Sequence, residues 1–371
     1  LAAASCCVSM RPAAALDHVD FRRGEKTQRV SGRVLIEAQD GGLLVQSRDG
    51  VLWTIPPGEQ IGRSSDAVPF APFDRDEAAK RVLAELPDGF RVHQTANYLI
   101  FYDTSPGYAQ WCGSLFERLY MAFTNFWRRK GFEIHQPEFP LAAIVFADRN
   151  AYLRHSRPEL GDAAEAIVGY YAMLTNRMTM YDLTGVEALG LTEGRGRSAA
   201  QINLILSQPN SQYAVATIVH EATHQIAFNC GLHTRLSDCP LWFSEGVAVY
   251  FETPDLSSAR GWRGIGAVNH PRLERFRRYL AARPADSLET LIRDDARFRD
   301  PARALDAYAE AWALTYFLIR QHPKKYIAYM SMLSQKKPLL QDGPNRRIDE
   351  FRTIFGDLRQ LDAEFLRYIS R

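Results

Sequence analysis

Residues 213–228 read YAVATIVHEATHQIAF, and this stretch decides how the rest of the chain is interpreted. It contains the pattern His-Glu-x-x-His at His220, Glu221 and His224. Residues four apart lie on one face of a helix, so both imidazoles can bind the same metal ion. Glu221 is displaced by one position, which lets its carboxylate reach a water molecule on that ion without being a ligand. The apolar, β-branched neighbours predict a buried helix, whereas two surface histidines flanking a glutamate are the alternative.

The stretch LWFSEGVAVYFE at 241–252 contains the expected third ligand, Glu245, which follows His224 after twenty intervening residues. A carboxylate in such an apolar run needs a partner, and a zinc ion with one open coordination position is such a partner. The alternative is a first-turn glutamate behind an N-cap at Ser244. His233 competes as a ligand, but its spacing does not match the His-x-x-Gly-x-x-His continuation, so Glu245 is preferred.

Together these stretches resemble the gluzincins, the zinc peptidases with two histidine ligands and one glutamate ligand. The Trp-Phe-Ser-Glu-Gly string at 242–246 and the helix AYAEAWALTYFL at 307–318 are similar to those of the peptidase-MA-like group, including its uncharacterised bacterial branch. The resemblance implies a zincin-like fold and hydrolysis of peptide bonds. It also implies roles for four residues: Zn²⁺ ligation by His220, His224 and Glu245, and general-base catalysis by Glu221.

Two features narrow the kind of peptidase that the resemblance implies. Val249 stands four residues after Glu245, where thermolysin-like enzymes carry an aspartate, and this argues against that subgroup. The Gly-x-Met-Glu-Asn string with which aminopeptidases capture a substrate amine is not visible in the sequence. We therefore expect an endopeptidase rather than an aminopeptidase.

Two further roles follow from the same resemblance. Tyr308 stands 63 residues after Glu245 and corresponds to the tyrosine that donates to the developing oxyanion in aminopeptidase-like gluzincins. Tyr316 or Tyr250 could take this role instead, and an aromatic packing residue is the simpler alternative. Glu252 lies seven residues after Glu245 on the same helix face, where it could accept the other N–H of a ligand histidine. A solvated glutamate at a helix end is equally compatible with that position.

The composition is that of an ordinary globular protein. The chain has 371 residues, 45 Lys+Arg against 43 Asp+Glu, 46% hydrophobic residues and a net charge of +2. This length suggests two or three domains, and the composition excludes collagen, coiled coil and wholesale disorder. The near-neutral charge does not favour nucleic acid as a partner. No apolar run is long enough for a transmembrane helix, so we expect no integral membrane span. A peptide or protein substrate as the partner is what the resemblance to the gluzincins implies.

The domain organisation is predicted from changes in pattern along the chain. Residues 1–16 are small and apolar, and predict either a disordered leftover or the remnant of an export or lipidation signal around Cys6 or Cys7. An extracytoplasmic location, whether periplasmic, secreted or lipid-anchored, would follow from the latter. Residues 17–63 have short β-rich runs separated by Asp-Gly signals, which predict a small β barrel or sheet. Residues 64–76 contain two prolines and predict a linker.

Residues 77–371 are predicted to form the gluzincin-like domain. Strands are expected over 97–103, 141–147, 170–174 and 178–183, and a glycine-rich loop over 184–198. Helices are expected over 77–85, 108–129, 148–155, 212–228 and 241–251. The C-terminal part from about 260 is expected to be mainly helical, with helices over 273–282, 287–293, 302–322, 326–333 and 348–355. Strands followed by helices indicate an α+β class, here a small mixed sheet with site helices and a helical C-terminal part, preceded by the all-β unit.

Three functions are compatible with these patterns. The first is a zinc peptidase in which a strand from 170–183 holds an extended peptide beside the cleft. The second is a metal-binding module without peptidase activity that acts in cell-surface binding or structure. The third is a zinc hydrolase acting on a non-peptide amide, such as one in a cell-wall polymer. In an exported protein Cys230 and Cys239 could form a disulfide between the two site helices, and otherwise they are buried thiols.

Overall fold

The computed structural model describes residues 15–184, 198–253, 256 and 264–370. The chain divides into two compact units, residues 1–78 and 79–371. Of the predicted disordered or leader region at 1–16, residues 1–14 lie outside the described residues, whereas residues 15–16 begin the first strand. Of the predicted loop at 184–198, residues 185–197 lie outside the described residues. The class is mixed α+β, with an all-β sheet in the first unit and a helical C-terminal region in the second.

The first unit contains a five-stranded antiparallel sheet in the order β4-β3-β2-β1-β5. Its strands are β1 (Ala15–Arg23), β2 (Lys26–Glu37), β3 (Leu43–Ser47), β4 (Leu52–Ile55) and β5 (Gln60–Pro69). Apolar side chains that alternate along β1 and β2 form a small core with those of β3 and β4, because alternate residues of a strand point to one face. The members of this core are Val19, Phe21, Val30, Leu43, Val45 and Ile55.

The linker predicted over 64–76 is wrong in its first half. Residues 64–69 belong to β5, which pairs with β1 through the register Asp17 to Ser65 and Val19 to Arg63. Most of β5 is exposed, so its sequence lacks the apolar alternation by which a strand is recognised. Main-chain pairing with the neighbouring strand, and not its own side chains, defines this element.

The second unit is organised around a mixed five-stranded sheet in the order β6-β7-β8-β10-β9. Its strands are β6 (Arg91–Gln94), β7 (Tyr98–Tyr102), β8 (Leu141–Phe146), β9 (Gly169–Ala172) and β10 (Arg177–Tyr181). The three central strands are parallel, and the edge strands β6 and β9 are antiparallel to their neighbours. Every residue of β8 is buried, which explains its uninterrupted apolar sequence.

Some of the helices pack against this sheet, and helices also make up the described part of the C-terminal region. The first of them are α1 (Arg75–Glu85), α2 (Pro106–Arg129), α3 (Arg149–Leu160), α4 (Ala199–Leu206), α5 (Pro209–Asn229) and α6 (Leu241–Phe251). The C-terminal ones are α7 (His270–Leu280), α8 (Ser287–Arg293), α9 (Ala296–Arg299), α10 (Ala304–Gln321), α11 (Pro323–Ser334), α12 (Pro344–Phe355) and α13 (Leu358–Ile369). A search of the described helices finds none with the length and apolar character of a membrane span.

Three packing contacts bring the functional residues together. Helix α5 packs against β9 and β10 on one side and against α6 on another, and α6 packs against α10. The approach of α6 to α10 is close because Gly246 faces α10: a Cβ at this position would lie 2.1 Å from Thr315 Oγ1 and 3.0 Å from the carbonyl oxygen of Ala311. A residue without a side chain is therefore required directly after Glu245.

Candidate metal centre

His220, His224 and Glu245 converge, as the sequence predicts. His220 Nε2 lies 3.0 Å from Glu245 Oε2 and 3.1 Å from His224 Nε2, and His224 Nε2 lies 3.4 Å from Glu245 Oε1. The side chains are only 12%, 12% and 13% exposed. Among the described residues they form the one group of three or more possible metal ligands whose ligand atoms lie within 4.8 Å of one another.

The geometry of these three side chains fits a small divalent cation. Ligand atoms about 2.0–2.1 Å from a tetrahedral zinc ion lie about 3.3 Å from each other. The observed separations of 3.0, 3.1 and 3.4 Å are close to that value. The two imidazole rings are nearly perpendicular, at 79°, and their Nε2 atoms point at each other, so at most one proton can lie between them. Nitrogen and carboxylate oxygen are also the donor types that zinc prefers.

The sequence around each helix explains this convergence. Helix α5 begins at Pro209, and its buried apolar residues keep the turn that carries the histidines inside the protein. Helix α6 begins at Leu241, whose N–H donates to Asp295 Oδ1 at 3.0 Å. Arg347 donates to that same carboxylate at 3.0 Å and to Asp238 at 3.0 Å, in the loop before α6. The C-terminal helices therefore hold the start of α6 and with it Glu245.

Burial and the attraction between His220 and Glu245 determine the pKa values of these two side chains. Burial alone would lower the pKa of His220, but its hydrogen bond to Glu245 and the charge of that carboxylate outweigh burial and raise the pKa to about 9. Burial would raise the pKa of Glu245, yet the charge of His224 and the hydrogen bonds from both histidines hold it far below its usual range. A carboxylate that stays ionised is the form that binds a metal ion.

Glu221 lies on the adjacent position of α5, directed towards the edge strand β9. Its Oε2 accepts a hydrogen bond of 3.0 Å from the backbone N–H of Tyr171. Burial raises the pKa of Glu221, although the charges of His220 and His224 oppose that effect. The carboxylate is thus fixed in direction and made more basic than a surface glutamate. The expected strand beside the site is β9, the edge strand of the mixed sheet.

Tyr308 lies on α10 within electrostatic reach of the centre. The charge of Glu245 is the largest cause that raises the pKa of this phenol, followed by burial and by the charge of Glu221. The hydroxyl therefore keeps its proton at neutral pH and can donate. Its ring packs edge-on against Phe298, with ring centroids 5.2 Å apart.

Glu252 is near the histidines, but its hydrogen bond goes elsewhere. Its charge contributes to raising the pKa of His220, whereas its contact in this part of the structure is Arg272 Nη2 at 3.5 Å. The expected bond from a histidine ring to Glu252 is not found among the described residues. Arg272 also lies over the ring of Tyr308, with Cζ 5.7 Å from the ring centroid. Sequence reasoning missed Arg272, because α7 carries four arginines without a pattern that distinguishes one of them.

Of the two alternatives for Cys230 and Cys239, the structure has the free thiols, and no disulfide joins them. They lie in different surroundings: Cys230 contacts the hydroxyl of Tyr120 on α2, whereas Cys239 Sγ lies 3.7 Å from His233 Nδ1. Burial raises the pKa of each thiol to about 12. His233 is not a member of the ligand cluster, and burial lowers its pKa to about 3.

The model of a protein family matches part of the chain. Residues 214–340 match the model of a family described as "Protein of unknown function (DUF1570)". This segment covers about a third of the chain and contains the candidate ligands, Glu221 and Tyr308. No curated protein is similar enough to be matched. The family description is compatible with a zincin, but it names neither an activity nor a metal.

Proposed function

We propose that the protein is a zinc-dependent peptidase of the gluzincin type, and that it cleaves peptide bonds as an endopeptidase. The observation that carries the proposal is the convergence of His220, His224 and Glu245 to within 3.0–3.4 Å, with Glu221 on the adjacent position of the same helix. Two nitrogen donors and one oxygen donor leave a fourth tetrahedral position for water, which is the arrangement of catalytic rather than structural zinc sites.

In this proposal Glu221 moves the protons. A zinc ion held by the three ligands supplies Lewis acidity, which polarises the scissile carbonyl and makes water a better nucleophile at neutral pH. Glu221 accepts a proton from the attacking water and passes it to the leaving amine. The Tyr171 N–H fixes the carboxylate at 3.0 Å, and burial raises its pKa, so that it can both take up and release a proton.

Two other parts of the chain have roles in the proposal. Tyr308, which stays protonated beside Glu245, donates to the oxyanion that develops on the substrate carbonyl. The strand β9 is an edge strand next to the centre, and an edge strand can bind an extended peptide through main-chain hydrogen bonds. An extended, locally unfolded segment is thus the form in which a protein substrate would be cleaved.

The substitution Glu221→Gln tests the proposal. We expect the variant to keep one zinc ion per chain, because Glu221 is not a ligand, and to lose hydrolysis of denatured casein and short peptides by a factor of about 10²–10⁴. Glu274→Gln, at a position on α7 that is 71% exposed, is the control for removing a glutamate charge. Full activity of Glu221→Gln would contradict the mechanism. Zinc binding without any hydrolysis by the wild type would favour the metal-binding module instead.

A further inference from the structure

A second row of side chains lies on α5 next to the histidines. Glu221, Gln225 and Asn229 are spaced four residues apart, so they line one face of the helix. Each of them bonds to the hairpin formed by β9 and β10: Glu221 to the N–H of Tyr171 at 3.0 Å, and Gln225 to the carbonyl oxygen of Asn176 at 3.0 Å. The third, Asn229, bonds to the side chain of Asn176. A single helix face thus carries the proposed general base and two amides.

Asn176 is the residue of the hairpin that receives most of these bonds. It is 3% exposed and has φ of +62°, a conformation that asparagine adopts more readily than most residues. Its side chain and that of Asn229 exchange two amide hydrogen bonds, of 2.8 and 2.7 Å. The hydroxyl of Tyr171 donates to the same oxygen, Asn176 Oδ1, at 2.7 Å. Hydrogen bonds of Asn176 therefore connect the turn between β9 and β10 both to α5 and to β9.

These bonds are directional in a way that apolar packing is not. Gln225 donates to the carbonyl oxygens of both Asn176 and Ala142, at 3.0 and 2.9 Å, and so joins α5 to the hairpin and to β8. Burying an amide costs free energy unless it is hydrogen-bonded, and a shift of the hairpin along α5 would leave these amides unpaired. Apolar contacts would hold the two elements together but would tolerate such a shift.

We propose that Asn176, Asn229 and Gln225 are positioning residues. They hold β9 at the position along α5 where the Tyr171 N–H can donate to Glu221. They act through Tyr171 and do not themselves touch the reacting atoms. The effect on hydrolysis rests on the proposed function. The effect on the position of Tyr171 does not, because it follows from the hydrogen bonds alone.

Hydrogen–deuterium exchange of the Tyr171 amide tests the inference directly. Asn229→Ala and Asn176→Gly each remove the paired amides, and glycine accepts the positive φ of residue 176. We expect exchange of the Tyr171 amide to become at least about tenfold faster in both variants, relative to the amide of Ile144 in the centre of the sheet. The matched control is Asn97→Ala, which removes an amide bond of 2.7 Å to Glu117 near β7 and should leave the Tyr171 amide unchanged.

The outcomes separate positioning from general stability. Faster exchange at Tyr171 with little change at Ile144 supports the inference, whereas equal acceleration at both amides, or none at Tyr171, overturns it. In peptide hydrolysis the two variants should keep their zinc, and their kcat should fall about tenfold with a smaller change in KM, because the base and not the ligand set is displaced. If the wild type hydrolyses no peptide, the proposed function fails, and the exchange experiment still decides the positioning role.

Discussion

Two carboxylates on neighbouring helices, Glu310 and Glu245, differ in what surrounds them. Glu310 is completely buried and receives hydrogen bonds from Arg283 at 2.8 Å, Arg297 at 2.7 Å and Ser287 at 2.7 Å. All three neighbours are donors, and two of them carry a permanent positive charge. The buried negative charge of Glu310 is therefore balanced by the protein itself.

Glu245 has no such balance from permanent charges among its described contacts. Its contacts are His220 and His224, whose Nε2 atoms lie 3.1 Å from each other and can hold lone pairs instead of protons. The comparison separates two uses of a buried glutamate. One surrounded by arginines stabilises the helical region, whereas one surrounded by imidazoles is suited to share a cation with them.

The largest effect is expected for Glu310→Gln, which removes a buried charge paired with Arg297 and with Arg283, of which Arg283 also pairs with Asp362. We expect the free energy of unfolding to fall by about 3–5 kcal/mol, because breaking a buried ion pair leaves uncompensated charge. Urea unfolding measures this change, and the zinc content should remain that of the wild type. A loss below about 1 kcal/mol would mean that Glu310 is no more important for stability than a surface pair.

Tyr308→Phe, on the same helix as Glu310, should lower the rate of hydrolysis and leave the stability of the fold nearly unchanged. The hydroxyl is the proposed oxyanion donor, so its removal should lower kcat by about 10²–10³, while stability and zinc binding change little. Steady-state kinetics and metal analysis on one preparation measure both quantities. Tyr316→Phe is the control, and equal loss in both variants would remove Tyr308 from the mechanism.

Removal of the metal should lower the stability only of proteins that retain Glu245, whether or not Glu310 is substituted. Zinc at about 100 times its dissociation constant adds about 2.7 kcal/mol to the stability of a protein that binds it only when folded. We expect chelator to lower the melting temperature of the wild type and of Glu310→Gln alike. Glu245→Gln should respond weakly or not at all. A full zinc response in that variant would contradict the role of Glu245 as a ligand.

The smallest effect is expected from pH in the metal-free protein. The raised pKa of His220 stabilises the fold below pH 6.5, and this stabilisation is lost as the pH rises through about 9. The lowered pKa of Glu245 stabilises the fold above pH 4.5, and this contribution is lost at more acidic pH. The stability difference between the wild type and Glu245→Gln, measured with chelator, should therefore be largest between about pH 4.5 and 6.5. A difference that grows towards pH 9 would contradict this pairing.

The convergence of His220, His224 and Glu245 could be predicted because it depends on residues that are close together in the sequence. The His220–His224 interval fixes one helix face, and an isolated glutamate in the apolar run around Glu245 needs a partner. The α+β class and most helix positions followed from periodicity in the same way. The helix α13 was not predicted, although it is strongly amphipathic, and the strand β5 was assigned in part to a linker.

The contacts that the sequence did not reveal depend on long-range packing. Asn176 and Asn229 are 53 residues apart, and Arg272 and Glu252 are 20 apart, and neither pair has a local pattern. Asparagine in a turn and arginine in a polar helix are common, so their types alone do not indicate partners. The sequence left the Cys230–Cys239 pair open, because two cysteines in one loop are compatible with a disulfide and with the free thiols that the structure has.

Gly246 has a consequence for how the centre can adapt to ligands of different bulk. Since its backbone lies directly against Thr315 and Ala311, α6 and α10 cannot approach further, and any larger residue would force them apart. The helices that carry Glu245 and Tyr308 are therefore in close contact at this point. In the proposed peptidase, a bulkier substrate is therefore expected to be accommodated on the side of the β9–β10 hairpin, which the hydrogen bonds of Asn176, Asn229 and Gln225 hold on α5.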